Sequence, residues 1–550
     1  MENQTHLGSQ GGVEHTPDTH TSHVCLDRAS RKSIDKPQVS HVEISTLNLD
    51  PIAGRSDAKS IDEAATDDYK PPSAEQQREY LHGRTLCGCM LLFGQCLAIF
   101  NAKYVLISAT AFFMLGSCIS GAAMNIETLI IGRAVAGIGA AGCWVSVQTL
   151  VTMLVELQDR PKLLGLFGVQ NAVSGTTGPI LAGALASRGQ WRWCFFLVLP
   201  LGAFTILLSA YTIPSLPPWP LNEETEEKLS RQLSFIVRGK WQPRHDWQRR
   251  LVLVDILGYF IVTSGLICLI LALQWGGSTY AWKSVTIIGL FVGFGAIMCL
   301  FIFWEHNVAW PLLPPRALKN RTLIGASFLA LFTLMINLFV AIYLPVLYEA
   351  GRGVSSLKAG ILIIPFLMTV VVSQAVEGYI MSFTGRYWHW GFASPAFLAI
   401  AGGLVYTVDI NTTSTRLIGI QILYGIGVGL TQNVAFLSVQ ADNEPKAVPA
   451  AIAIVSFAQL FGGMCGPVIG NAVLSGSLRK YLASFGVPAD TSKAVEGSVD
   501  AIWELQGDLR TLVIKAYLRS LNNVYIAVVP VSFLIILSAS LIRNVSLKSK

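Results

Sequence analysis

The chain has 550 residues, of which 52% are hydrophobic and only 13% are charged, whereas a soluble globular protein carries about 25% charged residues. The formal net charge of +6 is spread over many short segments. It forms no basic stripe interleaved with aromatic residues, which excludes a nucleic-acid partner. The cysteines lie mostly singly in apolar runs, so neither a disulfide framework nor a metal site is indicated. Lipid is therefore the expected solvent for most of the chain.

Residues 1–80 differ in composition from everything that follows. They are rich in polar and charged side chains, and they contain no apolar run long enough for a signal peptide. Such a segment cannot bury enough surface to offset its chain entropy. We expect a disordered cytosolic tail over 1–80.

Uncharged or nearly uncharged runs of about 20 residues recur through the rest of the chain, and this is the length that crosses a hydrocarbon core about 30 Å thick. The first run, 85–102, is the least typical because it contains Gly88, Gly94, Gln95 and Asn101. The sequence predicts an all-α polytopic membrane protein with 12 to 13 transmembrane helices in two pseudo-symmetric halves. The other runs are 104–126, 128–155, 163–187, 193–213, 251–274, 285–304, 322–348, 359–376, 390–408, 417–440, 447–475 and 524–542.

Polar segments divide these spans into groups. A charged linker at 214–250 separates an N-terminal transmembrane half at 81–213 from the later spans. A second polar segment occupies 476–523, where residues 502–513 have the apolar spacing of a surface amphipathic helix. The remaining predicted segments are additional and C-half helices at 251–345, a C-terminal transmembrane half at 346–475, a last transmembrane helix at 524–542 and a cytosolic tail at 543–550.

Successive loops between the spans lie on alternate sides of the membrane, and Lys and Arg are unevenly distributed between these two sets of loops. The side that holds 214–250 and the C-terminus carries the larger share of them. Because cytoplasmic loops are enriched in Lys and Arg, we expect that side to be the cytosol and 476–523 to be extracellular. The sequon at Asn411 then lies outside, where it is a candidate for glycosylation.

An internal repeat relates two pairs of predicted helices. When the sequence is aligned with itself at one constant offset, Leu129 aligns with Leu417. The segment 129–142, LIIGRAVAGIGAAG, aligns with LIGIQILYGIGVGL, and the same offset aligns 175–184, GTTGPILAGA, with GMCGPVIGNA. Parallel repeats are typical of transporters whose two halves move about a central site. Gly-rich membrane helices also resemble one another by chance, and that alternative stays open.

Arg133 is the only Lys or Arg well inside a predicted span, and the repeat places Gln421 at the equivalent position. A guanidinium at membrane depth is costly, so it usually marks a water-filled path or a buried partner. Alternatively, its long side chain reaches the nearby end of the helix. Both interpretations remain open at this point.

From about Leu91 to Leu541 the chain resembles the major facilitator superfamily, and in particular its fourteen-helix branch of drug/proton antiporters, which includes toxin and multidrug efflux pumps of filamentous fungi. The segment 133–139, RAVAGIG, resembles the fourth-helix motif of that family. Segments 191–195 and 199–202 resemble the entry to its sixth helix. The fifth-helix motif of the antiporters is matched by Gly168, Gly175, Gly178, Pro179 and Gly183.

The chain also departs from the family pattern. The segment 94–104 stands where the cytoplasmic gating motif is expected, but it lacks the acidic residue of that motif. Ala182 replaces a second glycine of the antiporter motif. No counterpart of the family's first helix, with its acidic residue, precedes Leu86. We therefore expect the sequence to lack one helix of its relatives.

The resemblance implies proton-coupled efflux of a small organic compound such as a secondary metabolite, toxin or drug, at the plasma membrane or the vacuolar membrane. The implied partners are the substrate, protons and the lipid bilayer, with no cofactor and a monomeric protein. Proton coupling and gating fall on Arg133, Gly137 and Gly139.

Other functions stay open as alternatives, namely uptake by the same kind of transporter and a truncated remnant that does not transport. An enzyme would need convergent His or acidic groups, which the spans do not offer. Five polar side chains within the spans are candidates for lining a central cavity, or equally for hydrogen bonding between helices: Asn171, Asn337, Gln432, Asn433 and Gln459.

Overall fold

The structure is a computed structural model. It describes residues 92–186, 188–215, 254–276, 280–308, 311–313, 319–488, 491–492, 494–495, 499 and 501–548, without the side chains at 92, 171–172, 176, 179–180, 182–184, 186, 274 and 356–357. The predictions for the tail 1–80, for nearly all of the linker 214–250 and for a first helix before Leu86 lie outside the described residues.

The described part of the first half contains six helices. Asn101 separates the first two, because its side chain accepts a hydrogen bond from the Lys103 backbone N at 3.0 Å and so caps the second helix. The helices are α1 (Leu92–Ile99), α2 (Ala102–Gly121), α3 (Ile126–Leu154), α4 (Arg160–Ala186), α5 (Trp193–Phe196) and α6 (Val198–Thr212).

Two further helices, α7 (Ile256–Trp275) and α8 (Val285–Asn307), lie between the halves in sequence and pack against each other. Asp255 caps α7 by accepting from the Gly258 backbone N at 2.8 Å. The indole N–H of Trp304 donates to the same carboxylate at 2.9 Å. The start of α7 is thereby joined to the end of α8.

The second half contains the remaining helices of the described chain. They are α9 (Arg321–Arg352), α10 (Ser356–Leu362), α11 (Ile364–Thr384), α12 (Trp388–Tyr406), α13 (Ser414–Gly429), α14 (Val434–Asp442), α15 (Val448–Ser484), α16 (Ala501–Glu504), α17 (Gly507–Ile526) and α18 (Val528–Leu541). The long helix α9 lies at the centre of this half, where it packs against α15, α17 and α18.

The prediction of an all-α membrane protein is confirmed, since the described residues form no β-strand and ten helical segments among them are long and apolar enough to cross a membrane. The predicted runs 163–187 and 390–408 are also helical, as α4 and α12, but they are not among those ten. The chain is thus a multi-pass membrane protein.

Large apolar side chains cover the outside of the helices. Phe204, Leu207, Phe303 and Phe533 are 65% to 74% exposed. A continuous apolar surface of this kind would be unfavourable in water, but it is favourable in contact with the hydrocarbon chains of a lipid bilayer.

The last helix begins earlier than the sequence predicts. Only Ala527 separates α17 from α18, so the helical run extends from Gly507 to Leu541 instead of 524–542. Of the predicted amphipathic segment 502–513, residues 502–504 lie in α16 and residues 507–513 begin this run. Val513 is fully buried, whereas Asp508 and Thr511 are exposed. The buried face of this segment lies where α15 continues to Ser484 and packs against α17.

The C-terminal tail folds back against the turn that follows α11. The Leu547 backbone N donates to the Gly385 carbonyl at 3.0 Å, and the Tyr387 hydroxyl donates to the carbonyl of Arg543. Burial raises the pKa of Tyr387 to about 12, so the phenol keeps its proton near neutral pH. Arg543 also lies 3.6 Å from the carboxylate of Asp442.

The internal repeat has a structural counterpart in two helix pairs. Gly139 of α3 lies against the α2 backbone at Phe113, and Gly427, its equivalent in α13, lies against Leu398 of α12. A Cβ at either glycine would overlap the neighbouring helix. Small residues at these points let the helix axes approach closely, so α2 with α3 and α12 with α13 are similar pairs in the two halves.

Candidate functional site

The two halves meet closely where α4 of the first half packs along α11 of the second. Three glycines remove side-chain bulk from this contact: Gly165 faces the Ala375 backbone, Gly168 faces the Gln374 side chain, and Gly378 faces the Pro161 carbonyl. We call this α4–α11 contact the seam. Its close approach depends on the missing Cβ atoms.

A chain of hydrogen bonds lies within the seam. The amide Nε2 of Gln374 donates to the Leu164 carbonyl on α4 at 3.4 Å and to Oδ1 of Asn433 at 3.1 Å. Nδ2 of Asn433 donates in turn to Oε2 of Glu377 at 2.9 Å. Polar groups on three segments are thus connected from one half of the molecule to the other.

Asn433 reaches the seam because the helix that carries it is interrupted. Helix α13 ends at Gly429 and α14 begins at Val434. Hydroxyl groups stabilise the break, since Oγ1 of Thr431 lies 3.0 Å from the Gly427 carbonyl oxygen and also within hydrogen-bond distance of the Ser394 hydroxyl on α12. Interruptions at membrane depth are tolerated where such groups satisfy the backbone.

Glu377 is completely buried, and its Oε1 has no hydrogen-bond partner among the described residues. The buried side chain of Asp442 also keeps one oxygen without a hydrogen-bond partner, but its other oxygen lies 3.6 Å from Arg543. Two further buried acidic residues, Asp255 and Glu305, have hydrogen bonds to both carboxyl oxygens. Asp255 accepts from the Gly258 backbone N and the Trp304 indole, and Glu305 accepts from the backbone N of Leu312 at 3.0 Å and of Leu313 at 3.3 Å. Glu377 therefore differs from both in its bonding.

Arg133 lies on an exposed face of α3, with its Cζ 5.9 Å from the centre of the Phe195 ring. No ion pair involves it within the described chain. Gly137, one turn further along, has no heavy atom within 4 Å of the place a Cβ would take, whereas Gly139 packs against α2. Arg133 and Gly137 are thus accessible, and Gly139 has a packing role.

Gln421, at the position equivalent to Arg133, is completely buried. Its Nε2 donates to the Tyr348 hydroxyl at 2.7 Å, and its Oε1 accepts from the Phe366 backbone N at 3.3 Å. It therefore joins α13 to α9 and α11. The two equivalent positions have different surroundings.

The antiporter-motif residues do not form one cluster. Gly168 lies in the seam, whereas Gly175 and Gly178 have open space around them, with no heavy atom within 4 Å of the point where a Cβ would lie. Pro179 and Gly183 are in the same helix, but their surroundings lie outside the described residues.

Of the five cavity candidates, Asn433 is joined to the hydrogen-bonded chain of the seam. This supports the alternative of bonding between helices at that position. Gln432 is half-buried with an Oε1 that lacks a partner in the described residues, Gln459 is buried on α15 and Asn337 is half-buried on α9. The side chain of Asn171 is not described.

Asn411, the candidate for glycosylation, is exposed in the loop between α12 and α13.

Gln374 and Glu377 are site residues that the sequence did not predict. The uncharged run at 359–376 ends just before Glu377, as it would at the start of a loop, but α11 continues to Thr384. The eight residues that follow Glu377 are also uncharged. This uncharged stretch after Glu377 was the feature of the sequence that could have indicated that Glu377 lies within the span.

The sequence profile of the Major Facilitator Superfamily matches residues 86–467. The MFS-type transporter astH of Aspergillus oryzae is 30% identical over 473 residues, which cover 85% of this chain and 79% of that protein. The MFS-type efflux pump MFS1 of Arthroderma benhamiae is 33% identical over 398 residues, covering 72% of this chain and 70% of the pump. Both alignments include most of either protein.

Among solved structures, the crystal structure of the human organic anion transporter MFSD10 aligns with a TM-score of 0.46 and 13% sequence identity. The alignment covers 82% of this chain and 83% of that transporter. The sequence matches, rather than this structural likeness, carry the assignment.

Proposed function

The chain belongs to the major facilitator superfamily and is a membrane transporter, and on that premise we propose that it exports a small organic compound in exchange for protons. The observation that carries the direction of transport is the 33% identity with a fungal efflux pump over 72% of this chain. A secondary metabolite, toxin or drug is the proposed substrate class, since the resemblance to the drug/proton antiporters implies it.

Proton coupling is proposed to involve Arg133. Its guanidinium is exposed on α3 and has no acidic partner within the described residues, so it remains available to a group that changes during transport. An unpaired cation in a membrane span is most often found on a pathway. The exposed Gly137 on the same helix leaves room beside it.

The fourteen-helix branch is the proposed place of the chain within the superfamily. Support comes from α7 and α8, which pack on each other and lie between the two halves in sequence. Two additional helices at this point are what the branch adds to a twelve-helix arrangement. We further propose a monomeric protein without enzymatic activity in the plasma membrane.

The proposal is tested by measuring the accumulation of rhodamine 6G, an amphipathic dye, in a yeast host that lacks its own drug pumps. Cells that make the full chain are expected to hold less dye than cells with an empty vector. A protonophore is expected to abolish the difference, because it removes the proton gradient.

Two outcomes would contradict efflux. Higher dye content than in the empty-vector cells would indicate uptake. Equal content over a panel of amphipathic dyes, with the protein confirmed at the membrane, would support a chain that does not transport.

A further inference from the structure

We propose that Glu377 is a proton-binding site of the transport cycle, and that the bound proton holds the seam between α4 and α11 closed. The inference rests on the proposed proton-coupled transport and names the group that the proton occupies. It starts from a completely buried acidic side chain that keeps one carboxyl oxygen without a partner and forms no ion pair among the described residues.

The surroundings of Glu377 suit a neutral carboxyl group. Asn433 donates to Oε2, as it would to the carbonyl oxygen of a carboxylic acid, and Oε1 is left to carry the proton. An ionised carboxylate with one hydrogen bond and no counter-charge is strongly unfavourable in such a buried place. In the closed seam, the protonated form is therefore favoured.

The hydrogen-bond pattern favours a proton over a metal cation. Hard cations require several oxygen ligands, but Asn433 presents an N–H group to Glu377, and its own Oδ1 already accepts from Gln374. No group of three or more His, Cys, Asp or Glu side chains suited to a metal occurs in the part of the chain that is described.

No other charged side chain neutralises Glu377 within the described residues. The two basic residues at the start of α4, beside Pro161, have other partners. Arg160 donates to the Val155 carbonyl at 2.9 Å, and Lys162 pairs with Asp159 at 2.8 Å. The titratable side chains on α11 and on the elements packed against it are Arg160 and Lys162 on α4, Lys358 on α10, Tyr379 on α11, Arg416 and Tyr424 on α13, and Asp442 on α14.

The position of Glu377 links its proton to the conformation. The residue directly after it, Gly378, makes the close contact with the Pro161 carbonyl of α4. When the carboxyl O–H bond breaks, the proton passes to water and a carboxylate remains. Hydration of that charge requires the seam to open, so deprotonation shifts the population toward separated halves.

The test measures the seam directly in the full chain, reconstituted into lipid nanodiscs. Spin labels are attached at positions 162 and 379, which are exposed on α4 and α11, in a background without other reactive cysteines. The distance between the labels is measured by pulsed electron resonance across a pH series. We expect a shift to longer distances as the pH rises in the wild type, and a short distance at every pH in Glu377→Gln.

The matched control is Glu305→Gln, which changes a buried acid whose oxygens are both bonded to backbone N–H groups. It should keep the wild-type pH response. The proposal is overturned if Glu377→Gln keeps the pH-dependent shift, or if the wild type shows none. These label distances do not depend on any substrate, so they separate this proposal from the proposed efflux.

A transport readout then connects the site to coupling. In vesicles without a pH gradient, Glu377→Gln should move rhodamine 6G down its own gradient more slowly than the wild type, because the amide, like the protonated carboxyl group, keeps the seam closed. With a pH gradient, at least a tenfold loss of gradient-driven transport is expected. Full gradient-driven transport by Glu377→Gln would contradict the role, whereas failure of the wild type to move any dye would contradict efflux itself.

Discussion

Arg133 and Gln421 occupy equivalent positions of the repeat, but the first side chain is exposed and the second is buried, and the proposed transport role concerns Arg133 alone. Arg133 has an exposed side chain near Phe195, and an exposed cation–π contact contributes only about 0.5–1 kcal/mol. We predict that Arg133→Ala abolishes proton-linked dye export while the amount of protein in the membrane stays unchanged. Dye export and surface level should be measured in the same cells. Undiminished export at equal surface level would contradict the prediction.

Gln421 should behave in the opposite way. Gln421→Ala leaves the Phe366 backbone N and the Tyr348 hydroxyl without their buried partner, which costs about 1–3 kcal/mol. We predict a lower melting temperature of the purified protein and less folded material. Arg133→Ala serves as the control, with a melting temperature close to wild type. A Gln421→Ala protein as stable as wild type would show that these hydrogen bonds contribute little.

Single residues were predictable from the sequence only where their chemistry is unusual in a span. Arg133 was identified for that reason, and Asn433 was one of several polar candidates. Glu377 was missed because a charged residue at the end of an apolar run also suits a loop. The partners of Glu377 come from α4, α11 and the break before α14, and no local pattern specifies which distant segments will meet.

At the scale of helices, the glycines of α15 and α4 offer a direct comparison. Gly466 is pressed against the Met335 carbonyl of α9, whereas its repeat equivalent, Gly178, has open space around it. Overpacking costs about 1–3 kcal/mol or more. We predict that Gly466→Leu sharply lowers the yield of monodisperse protein and that Gly178→Leu does not, as measured by fluorescence-detected size-exclusion chromatography. Equal losses in both variants would contradict the packing argument.

Helix positions followed well from the apolar runs, because a span must satisfy its own backbone and so has a minimum length. Helix ends followed less well. The run from Gly507 to Leu541 begins in polar sequence, and its first turns are buried on one face only, where α15 extends beside α17. Apolar spacing indicates which face of a helix is buried, but not which neighbour covers it.

For the whole molecule, the distribution of Lys and Arg predicts the sidedness. The linker 214–250 and the C-terminus should face the cytosol, and 476–523 should face outside. Single cysteines placed at exposed Ser546 and at Ser484 are expected to react oppositely with a membrane-impermeant maleimide in intact cells. Only the second should be labelled before permeabilisation. Labelling of both in intact cells would refute the assigned topology.

Proton-driven export is the central claim, and flux in a defined membrane tests it most directly. The purified chain is reconstituted into proteoliposomes with an acidic lumen, and rhodamine 6G is added outside. Pumps whose cytosolic face points outward should accumulate the dye in exchange for lumenal protons. We expect accumulation well above that in protein-free vesicles, its collapse with a protonophore, and little accumulation with Arg133→Ala. Dye uptake that is the same with and without the pH gradient, or no faster than in protein-free vesicles, would contradict the account.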